Sequence, residues 1–426
     1  MNIVQKSLLR HSFGRNYAFV VVAIVFVALI VSAGQRSAPG VLMLPLGQAL
    51  GWSRSEISFG AAVGLFLYGL VGPFAAALMQ SFGLKRTLVC ALLLMGMATG
   101  ASALMTQPWQ FVLTWGIASG LGTGCVAIVL AATVVSRWFA TNRGAVMGLL
   151  TASTATGTLI FLPALAALAE ADGWRTVVLT ISACSLLLVP LILLVLPEWP
   201  GDVGLVPYGA ASERPSPPPE VRRDPLQAAV GCLVKAIRVP TFWMLAGTFF
   251  ICGFTTNGLI GTHLIAFCAD HGIAEVQAAG LLAAMGIFDL VGTTGSGWLT
   301  DRLDPRKLLF VYYGIRGLSL IYLAYSDFSL VGLSAFAVFY GLDWIATVPP
   351  TLRLTTASFG DRDGPIVFGW IVAGHQVGAA SAAFLAGFLR VVQGTYLEAF
   401  VISGLTGLIA AALALAIRPA RVAAAA

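Results

Sequence analysis

Arg36 is the charged residue with the clearest chemical consequence, because it lies inside a thirty-residue apolar run from Tyr17 to Leu46. Such a run can cross a bilayer, since about 20 residues at a rise of 1.5 Å each span the hydrocarbon core. An unpaired guanidinium in hydrocarbon costs several kcal/mol and therefore requires a polar cavity or a partner. Two interpretations stay open: a role in binding or coupling, or a buried structural ion pair.

Asp289 and His375 are the residues within apolar blocks that could take and release a proton. Asp289 lies about halfway along the block 275–299, where a carboxyl group serves either proton coupling or a structural hydrogen bond. The imidazole of His375 has a reference pKa near 6.5, which suits a proton carrier. A lone histidine in an apolar helix is more often a hydrogen-bonded packing residue, and that alternative stays open.

Three further polar or aromatic residues are candidates for contact with a bound molecule. Asn257 and His263 lie in the block 241–268, and we expect Asn257 near the midplane and His263 at the outer vestibule. Tyr68 is one of several aromatic residues that could shape an apolar pocket, with lipid contact or helix packing as the alternative. The full aromatic set is Tyr68, Trp115, Phe288, Trp344 and Trp370.

Two more arginines fall within apolar blocks. We expect Arg316 to form a structural pair with Asp343 between adjacent helices. We expect Arg353 near the cytoplasmic end of its helix, where its side chain can reach the interface.

The composition excludes a soluble domain. The chain is 58% hydrophobic and only 10% charged, with a mean hydropathy of +0.90, whereas soluble domains are about 25% charged. Neither a phosphate-binding GxxxxGK[ST] loop nor an HExxH pair occurs, and the loops are too short for a catalytic domain, so an enzyme is not expected. The six cysteines lack the spacing of a metal site or a disulfide framework. We expect no cofactor and no metal.

Apolar blocks of helical length predict the number of membrane crossings. About twelve blocks occur, with expected bounds 17–46, 57–79, 87–105, 109–135, 144–169, 174–196, 241–268, 275–299, 308–325, 329–352, 364–389 and 395–417. One side of this topology collects 18 Lys and Arg residues and the other collects 3. The positive-inside rule therefore predicts that both termini are cytoplasmic. The net charge of +6 follows from topology, so nucleic acid is not an expected partner. The first block is too long for a cleavable signal peptide.

The longest interruption, Leu196 to Pro240, contains the segment SERPSPPPEVRRDP, which is too rich in proline and charge to form a core. We therefore predict an N-terminal six-helix bundle at 1–196, a cytoplasmic linker at 197–240 and a C-terminal six-helix bundle at 241–426. The stretch AAVGCLVKAIRVPTFW alternates apolar and basic residues at helical spacing. It is either a short helix on the cytoplasmic face or an ordinary connector.

The two halves share motifs at an almost constant offset, as an internal duplication would leave. QSFGLKR at Gln80–Arg86 and DRLDPRK at Asp301–Lys307 are displaced by 221 residues. Phe139 in WFATNRGAVMG and Phe359 in SFGDRDGPIVFG are displaced by 220. Two matches at nearly one offset indicate a six-plus-six repeat.

At Gly297–Lys307, GWLTDRLDPRK resembles the GxLaDRxGRR signature loop of the major facilitator superfamily. Its first-half copy has Gln80 and Ser81 where the Asp-Arg pair is expected. The resemblance implies an all-α polytopic membrane protein, with 12 transmembrane helices in two six-helix pseudo-symmetric bundles. Three other segments are similar to the monocarboxylate porter and oxalate/formate antiporter-like group, namely GVLMLPLGQALGWSRSEIS, RWFATNRGAVMGL and LPEWPGDVGLVPYG.

The resemblance also implies roles for particular residues. Monocarboxylate porters carry a basic residue of the first span in the central path, and Arg36 matches that position. A guanidinium there can hold a carboxylate by two parallel hydrogen bonds. These porters also carry an Asp-x-x-x-Arg pattern in the eighth span, where Asp289 matches the acid but Thr293 replaces the arginine. Arg36 must then bind the anion alone or together with Arg316 or Arg353.

The signature loop carries four charged residues, Asp301, Arg302, Arg306 and Lys307. A short charged turn between two helices can bond to neighbouring helix ends and release them when the bundles rock. We expect these residues to act as a conformational latch.

We therefore expect a carrier in a bacterial-type inner membrane that moves a small organic anion, and specifically a monocarboxylate, by alternating access. Proton symport is favoured over exchange, with Asp289 as the coupling group. The alternatives are an exporter of a neutral or cationic drug-like compound and a membrane sensor that does not transport. The expected partners are the anion, protons and the lipid bilayer, and the sequence does not determine the oligomeric state.

Overall fold

The computed structural model describes residues 16–210 and 225–418 of the 426-residue chain. Both chain ends lie outside these ranges, as does almost all of the segment SERPSPPPEVRRDP. The predicted positions of the termini and of the proline-rich part of the linker therefore fall outside the described residues.

Within the described residues, twelve helices are long and apolar enough to cross a membrane. They are named α1 (Tyr17–Leu50), α2 (Arg54–Ala75), α3 (Leu84–Leu104), α4 (Pro108–Trp138), α5 (Val146–Asp172), α6 (Trp174–Val195), α7 (Pro240–Asp270), α8 (Glu275–Thr300), α9 (Pro305–Ala324), α10 (Leu330–Gly360), α11 (Asp363–Gln393) and α12 (Leu397–Ala416). The predicted all-α fold with twelve spans is confirmed.

Local sequence fixes several helix ends. Gly51 ends α1 at a φ of 71°, which a residue without Cβ adopts at little cost. Ser53 and Glu56 then form a reciprocal capping box that starts α2. Asp304 caps α9 by accepting a hydrogen bond from the backbone N–H of Arg306.

Three spans depart from a regular α-helix. Span α4 contains a π-helical stretch at Val112–Ser119, and α7 contains one at Phe254–Ile260. In α10 the helix Leu330–Asp343 ends and helical structure resumes at Val348, after an irregular turn at residues 344–347. Backbone groups freed by such breaks need partners inside a membrane, and α10 obtains its partners from charged side chains of α8 and α9.

Glycines allow equivalent helices of the two halves to pack closely. A Cβ added to Gly120 of α4 would lie 2.8 Å from the carbonyl oxygen of Gly64 in α2. A Cβ added to Gly341 of α10 would lie 2.8 Å from the carbonyl oxygen of Met285 in α8. Close approach through small residues is the usual way for helices to associate in lipid. The repeated arrangement agrees with the two pseudo-symmetric bundles.

Within the predicted linker, residues Pro225–Ala236 form a helix, so of the two alternatives for this stretch the structure shows a helix. This helix packs against α2 and α11. The indole N–H of Trp370 in α11 donates a hydrogen bond of 2.9 Å to the carbonyl of Ala229. The short helix therefore contacts both halves of the molecule.

An ionic cluster joins the two halves at one end of the molecule, here called the Asp270 end. Arg54 of α2 donates two hydrogen bonds of 2.9 and 2.6 Å to the carboxylate of Asp270 in α7. Arg390 of α11 donates a third bond of 2.7 Å to the same carboxylate. Both guanidiniums also lie over the ring of Tyr396, at 5.4 and 6.0 Å from its centroid. The first half is thus bonded to the second half at this end.

Replacing Asp270 by Asn is expected to loosen the Asp270 end, because the two guanidiniums would then repel each other without a shared carboxylate. A cysteine placed at the buried Met43, whose sulfur lies 3.7 Å from the Tyr396 hydroxyl, reports this opening. A polar maleimide should alkylate that cysteine several-fold faster in the Asp270→Asn protein.

Two controls accompany this measurement. Met43→Cys with Asp270 intact gives the reference rate, and Asp270→Asn alone gives the background from the six native cysteines. An unchanged alkylation rate would show that the ionic cluster does not keep this end closed.

Candidate functional site

A central cavity of about 330 Å³ lies between the two halves. Residues of α1, α2, α4, α5, α7, α8, α10 and α11 line it. Toward the Asp270 end, the lining stops at Gly40 in α1 and at Thr262 in α7. Toward the opposite end of the molecule, it extends to Leu150 in α5 and Phe368 in α11. Five predicted site residues line this cavity: Arg36, Tyr68, Asn257, Asp289 and His375.

Arg36 lies against the ring of Tyr68, with its guanidinium carbon 4.7 Å from the ring centroid. Within the described part of the chain, this guanidinium has no ion pair and no hydrogen bond from its side chain. A cation over an aromatic face gains about 0.5–2 kcal/mol, which does not replace a counterion in a membrane interior. The structural ion pair considered for Arg36 is therefore absent from the described residues. Its donors are left for a bound molecule.

Gln35, which sequence reasoning missed, fixes the segment that carries Arg36. Its amide is fully buried and donates hydrogen bonds of 2.9 Å to Thr99 and to Ser119. Its carbonyl oxygen accepts a bond from Ser185. These contacts tie α1 to α3, α4 and α6. The signal available in the sequence was a second polar residue beside Arg36 in an apolar run.

Asp289 is 5% exposed, and one of its oxygens, Oδ1, accepts two hydrogen bonds. The hydroxyl of Thr293 donates one bond at 2.9 Å, and the backbone N–H of Ile345 in the α10 break donates the other at 2.9 Å. Thr293 thus contacts the acid from the position where the resemblance expects an arginine. Neither a hydroxyl nor a backbone N–H neutralises the carboxylate, and Asp289 forms no ion pair among the described residues.

The two remaining polar candidates on the cavity wall are Asn257 and His375. Asn257 lies on the π-helical stretch of α7, a feature often found at functional sites. The ring of His375 lies 4.9 Å from that of Phe249. Its Nδ1 is buried without a hydrogen-bond partner among the described residues.

The structure does not place His263 on the cavity, in contrast to its expected position at the vestibule. Its imidazole is fully buried. One ring nitrogen lies 3.0 Å from the Tyr396 hydroxyl, and the other lies 2.7 Å from the carbonyl oxygen of Ala383. His263 therefore contacts the ring that lies beneath the ionic cluster, and we assign it a packing role.

Arg316 and Asp343 form the expected buried pair. The Nε of Arg316 donates a 2.7 Å bond to the carboxylate of Asp343, and both residues are nearly inaccessible to solvent. Arg316 also donates to the carbonyls of Asp343 and Trp344 and to the sulfur of Cys252. It therefore stabilises the free carbonyls of the α10 break, while Asp289 binds a free N–H. Arg316 is not available to the cavity.

Arg353 does not join Arg36 either, since it is exposed and does not line the cavity.

The four latch residues form local contacts. Arg302 lies over the ring of Trp298 and donates a 3.1 Å bond to that residue's carbonyl, while Arg306 pairs with Asp304 at 2.7 Å. The Arg306 hydrogen bond also holds the pKa of Asp304 below its usual value. Asp301 and Lys307 are exposed, and within the described ranges the four residues bond to no helix other than α8 and α9, which this loop connects.

A denser network occupies the equivalent loop of the first half, although its Asp-Arg pair is missing. The carboxylate of Glu198, which follows α6, accepts bonds of 2.7 and 2.9 Å from the backbone N–H groups of Leu84 and Lys85. Arg137 of α4 lies 3.4 Å from the same carboxylate and 4.3 Å from the ring of Trp199. Glu198 thus caps α3 from a distant part of the chain. The local sequence did not indicate this partner.

Comparison with known proteins assigns the family. A model described as Major Facilitator Superfamily matches residues 25–362. The chain belongs to the major facilitator superfamily. Because the matched relatives of this superfamily are transporters, the chain is assigned to transporters rather than to enzymes.

Curated relatives within the superfamily are similar at about one residue in four. The uncharacterized MFS-type transporter YcxA of Bacillus subtilis is 26% identical, with 81% of each chain covered. Monocarboxylate transporter 13 of Bos taurus is 25% identical over 86% of this chain and 81% of its own. Monocarboxylate transporter 11 of Homo sapiens is 26% identical over 91% and 80%. The likeness to monocarboxylate transporters agrees with the sequence motifs.

Solved structures of the superfamily share the fold. A bacterial homolog of the human lysosomal transporter Spinster, in an inward-facing and unoccupied conformation, has a TM-score of 0.75 at 14% identity, covering 94% of this chain and 97% of that one. A D-xylose-proton symporter has a TM-score of 0.73 at 15% identity, covering 95% and 98%.

Replacing Arg316 alone by Met is expected to destabilise the protein by about 3–5 kcal/mol, because it leaves the Asp343 carboxylate buried without a cation. The double variant Arg316→Met with Asp343→Leu should regain a large part of this loss. Thermal unfolding of the purified protein in detergent measures the midpoint of each variant. Equal destabilisation by the single and double changes would show that the pair does not act as a unit.

Proposed function

We propose that this protein is a secondary transporter of small organic anions, with monocarboxylates as the substrate class. The observation that carries the proposal is the guanidinium of Arg36, which lines the central cavity without a counterion among the described residues. A carboxylate supplies the missing charge and accepts two parallel N–H···O bonds. The likeness to monocarboxylate transporters supports the same substrate class.

In this proposal Asp289 is the proton-coupling group. It lines the same cavity and has no cation partner within the described ranges. A carboxylate in a membrane interior requires a positive partner, and a proton supplies one. Asp289 also accepts a bond from the α10 break. Protonation of Asp289 would therefore weaken its hydrogen bond with the N–H of Ile345, which lies in the irregular turn of α10.

Alternating access then requires that the cavity open at each end in turn. The ionic cluster at the Asp270 end joins the two halves, whereas the cavity lining extends toward the other end. We propose that the Asp270 end faces outward and that the signature loop lies on the cytoplasmic side of a bacterial-type inner membrane. We further propose that the bundles at 1–196 and 241–426 rock around the site, linked by 197–240, and that the latch residues bond only in other states.

Replacing Arg36 by Gln is expected to reduce the affinity for carboxylates by about 10- to 100-fold. Hydrogen bonds to a charged group contribute about 1.5–3 kcal/mol, and 1.4 kcal/mol corresponds to a factor of ten. Competition binding of labelled and unlabelled carboxylates to purified protein measures this loss.

Arg353→Gln is the matched control, because Arg353 is exposed on α10 and does not line the cavity. Undiminished carboxylate binding by Arg36→Gln would reject the assigned site. Stronger binding of neutral or cationic compounds than of carboxylates by the unaltered protein would favour the drug-exporter alternative.

Replacing Asp289 by Asn is expected to abolish uptake driven by a pH gradient and to leave counterflow exchange of substrate largely intact. The amide cannot take up a proton, but it keeps an oxygen that accepts from Thr293 and Ile345. Reconstituted proteoliposomes measure both activities. Asp327→Asn, in the exposed turn between α9 and α10, is the control. Gradient-driven uptake that survives in Asp289→Asn would assign the coupling to another group.

A further inference from the structure

The cavity wall is less polar than its residue types suggest. Five lining threonines donate their hydroxyl hydrogen to a backbone carbonyl of their own helix, with oxygen–oxygen distances of 2.7–3.1 Å. They are Thr123, Thr151, Thr158, Thr256 and Thr262. A hydroxyl that is already donating in this way has its donor satisfied and adds less to recognition of a polar solute.

Two further polar side chains of the lining already donate hydrogen bonds, in these cases to other helices. Ser32 donates a 2.8 Å bond to the carbonyl of Val126, and Gln35 donates to Thr99 and Ser119. The strongest group left to bind a solute on the first half is the guanidinium of Arg36. On the second half, the groups that remain among the described lining residues are the amide of Asn257, the carboxyl of Asp289, the Nδ1 of His375 and the Oε1 of Gln376.

Apolar and aromatic side chains form much of the remaining wall. Phe249 and Phe368 lie 5.9 Å apart between ring centroids, on α7 and α11. Trp344, at the α10 break, also lines the cavity and packs at 5.8 Å against Tyr340. Surfaces of this kind favour an apolar or aromatic group, because a pair of aromatic rings gains interaction free energy beyond that from the apolar area it buries.

The charge pattern allows one carboxylate and disfavours two. Arg36 is the available cation of the described lining, because Arg316 is buried against Asp343 and Arg353 does not line the cavity. A second carboxylate would lack a cation among the described lining residues, and burying an unpaired charge is costly.

The size of the cavity also disfavours the shortest acids. Its volume of about 330 Å³ is at the lower end of pockets that hold drug-sized ligands, which begin near ~300 Å³. A three-carbon acid has six heavy atoms and would leave much of the apolar wall uncovered.

We propose that the cavity selects monocarboxylates with a bulky apolar body of about the size of a phenyl ring, in preference to short hydroxy acids and dicarboxylates. The carboxylate binds Arg36, and the apolar body packs against the wall that Phe249, Phe368 and Trp344 supply. This inference rests on the proposed function and specifies its substrate class.

Binding of four probes to the purified full-length protein tests the inference: 3-phenylpropionate, lactate, succinate and 3-phenylpropanol. The phenyl acid should bind at least about tenfold more tightly than lactate or succinate. It should also exceed its alcohol by at least about tenfold, because the alcohol lacks the charge that Arg36 recognises. Competition against labelled 3-phenylpropionate gives the relative affinities.

Phe368→Ala should weaken binding of 3-phenylpropionate about tenfold while changing lactate binding less than twofold. Phe388→Ala is the matched control, because Phe388 lies on the same helix but is 46% exposed and does not line the cavity. This difference between two ligands separates loss of the apolar wall from general damage to the fold, which would weaken both.

Lactate or succinate binding that equals or exceeds that of 3-phenylpropionate, and that Arg36→Gln still weakens about 10- to 100-fold, would overturn the inference and leave the proposed function intact. Binding of the alcohol as tight as that of the acid, unaffected by Arg36→Gln, would reject the proposed function itself.

Discussion

The structure depends on how it accommodates charged side chains in an apolar interior. A charge in hydrocarbon is costly unless it is paired, hydrogen-bonded or open to a polar cavity. Arg316 is paired with Asp343, whereas Asp289 is held by a hydroxyl and a backbone N–H. Among the described residues, the Arg36 guanidinium lies against the ring of Tyr68, lines the cavity and forms no ion pair. The paired residues, Arg316 and Asp343, have a structural role, whereas Arg36 and Asp289 line the cavity and are available to bind a solute.

The break in α10 connects these charges to one another. Interrupting a helix exposes N–H and C=O groups that lipid cannot satisfy. Arg316 donates to the carbonyls on one side of the break, and Asp289 accepts from Ile345 on the other. One residue of this arrangement faces the cavity and the other is sealed in the core. Asp289 on the cavity wall is therefore bonded directly to the α10 break through the N–H of Ile345.

Contacts between the halves are polar at the Asp270 end and close-packed elsewhere. The carboxylate of Asp270 is shared by Arg54 and Arg390, which come from different halves. Such charge-assisted bonds are directional and can be exchanged for water when the halves separate. Glycine also allows close approach between the halves, since a Cβ added to Gly40 of α1 would lie 3.0 Å from the carbonyl oxygen of Gly261 in α7. The halves are therefore joined by charge-assisted bonds at one end and by close packing through small residues elsewhere.

The sequence by itself determined the twelve spans, the two halves and the family, because apolar length and repeated loop motifs are local properties of the chain. It also singled out Arg36 and Asp289, since a charge within a long apolar run is conspicuous without any structure. The sequence also predicted the Arg316–Asp343 pair, but only the tertiary structure decided that Arg36 and Asp289 have no ion pair among the described residues. It placed Glu198 on the start of α3, Thr293 on Asp289, and His263 against Tyr396 rather than on the cavity. These partners are four to 133 residues apart in the chain, and the distant ones meet because helix packing sets their positions and rotations, which periodicity along one helix does not encode.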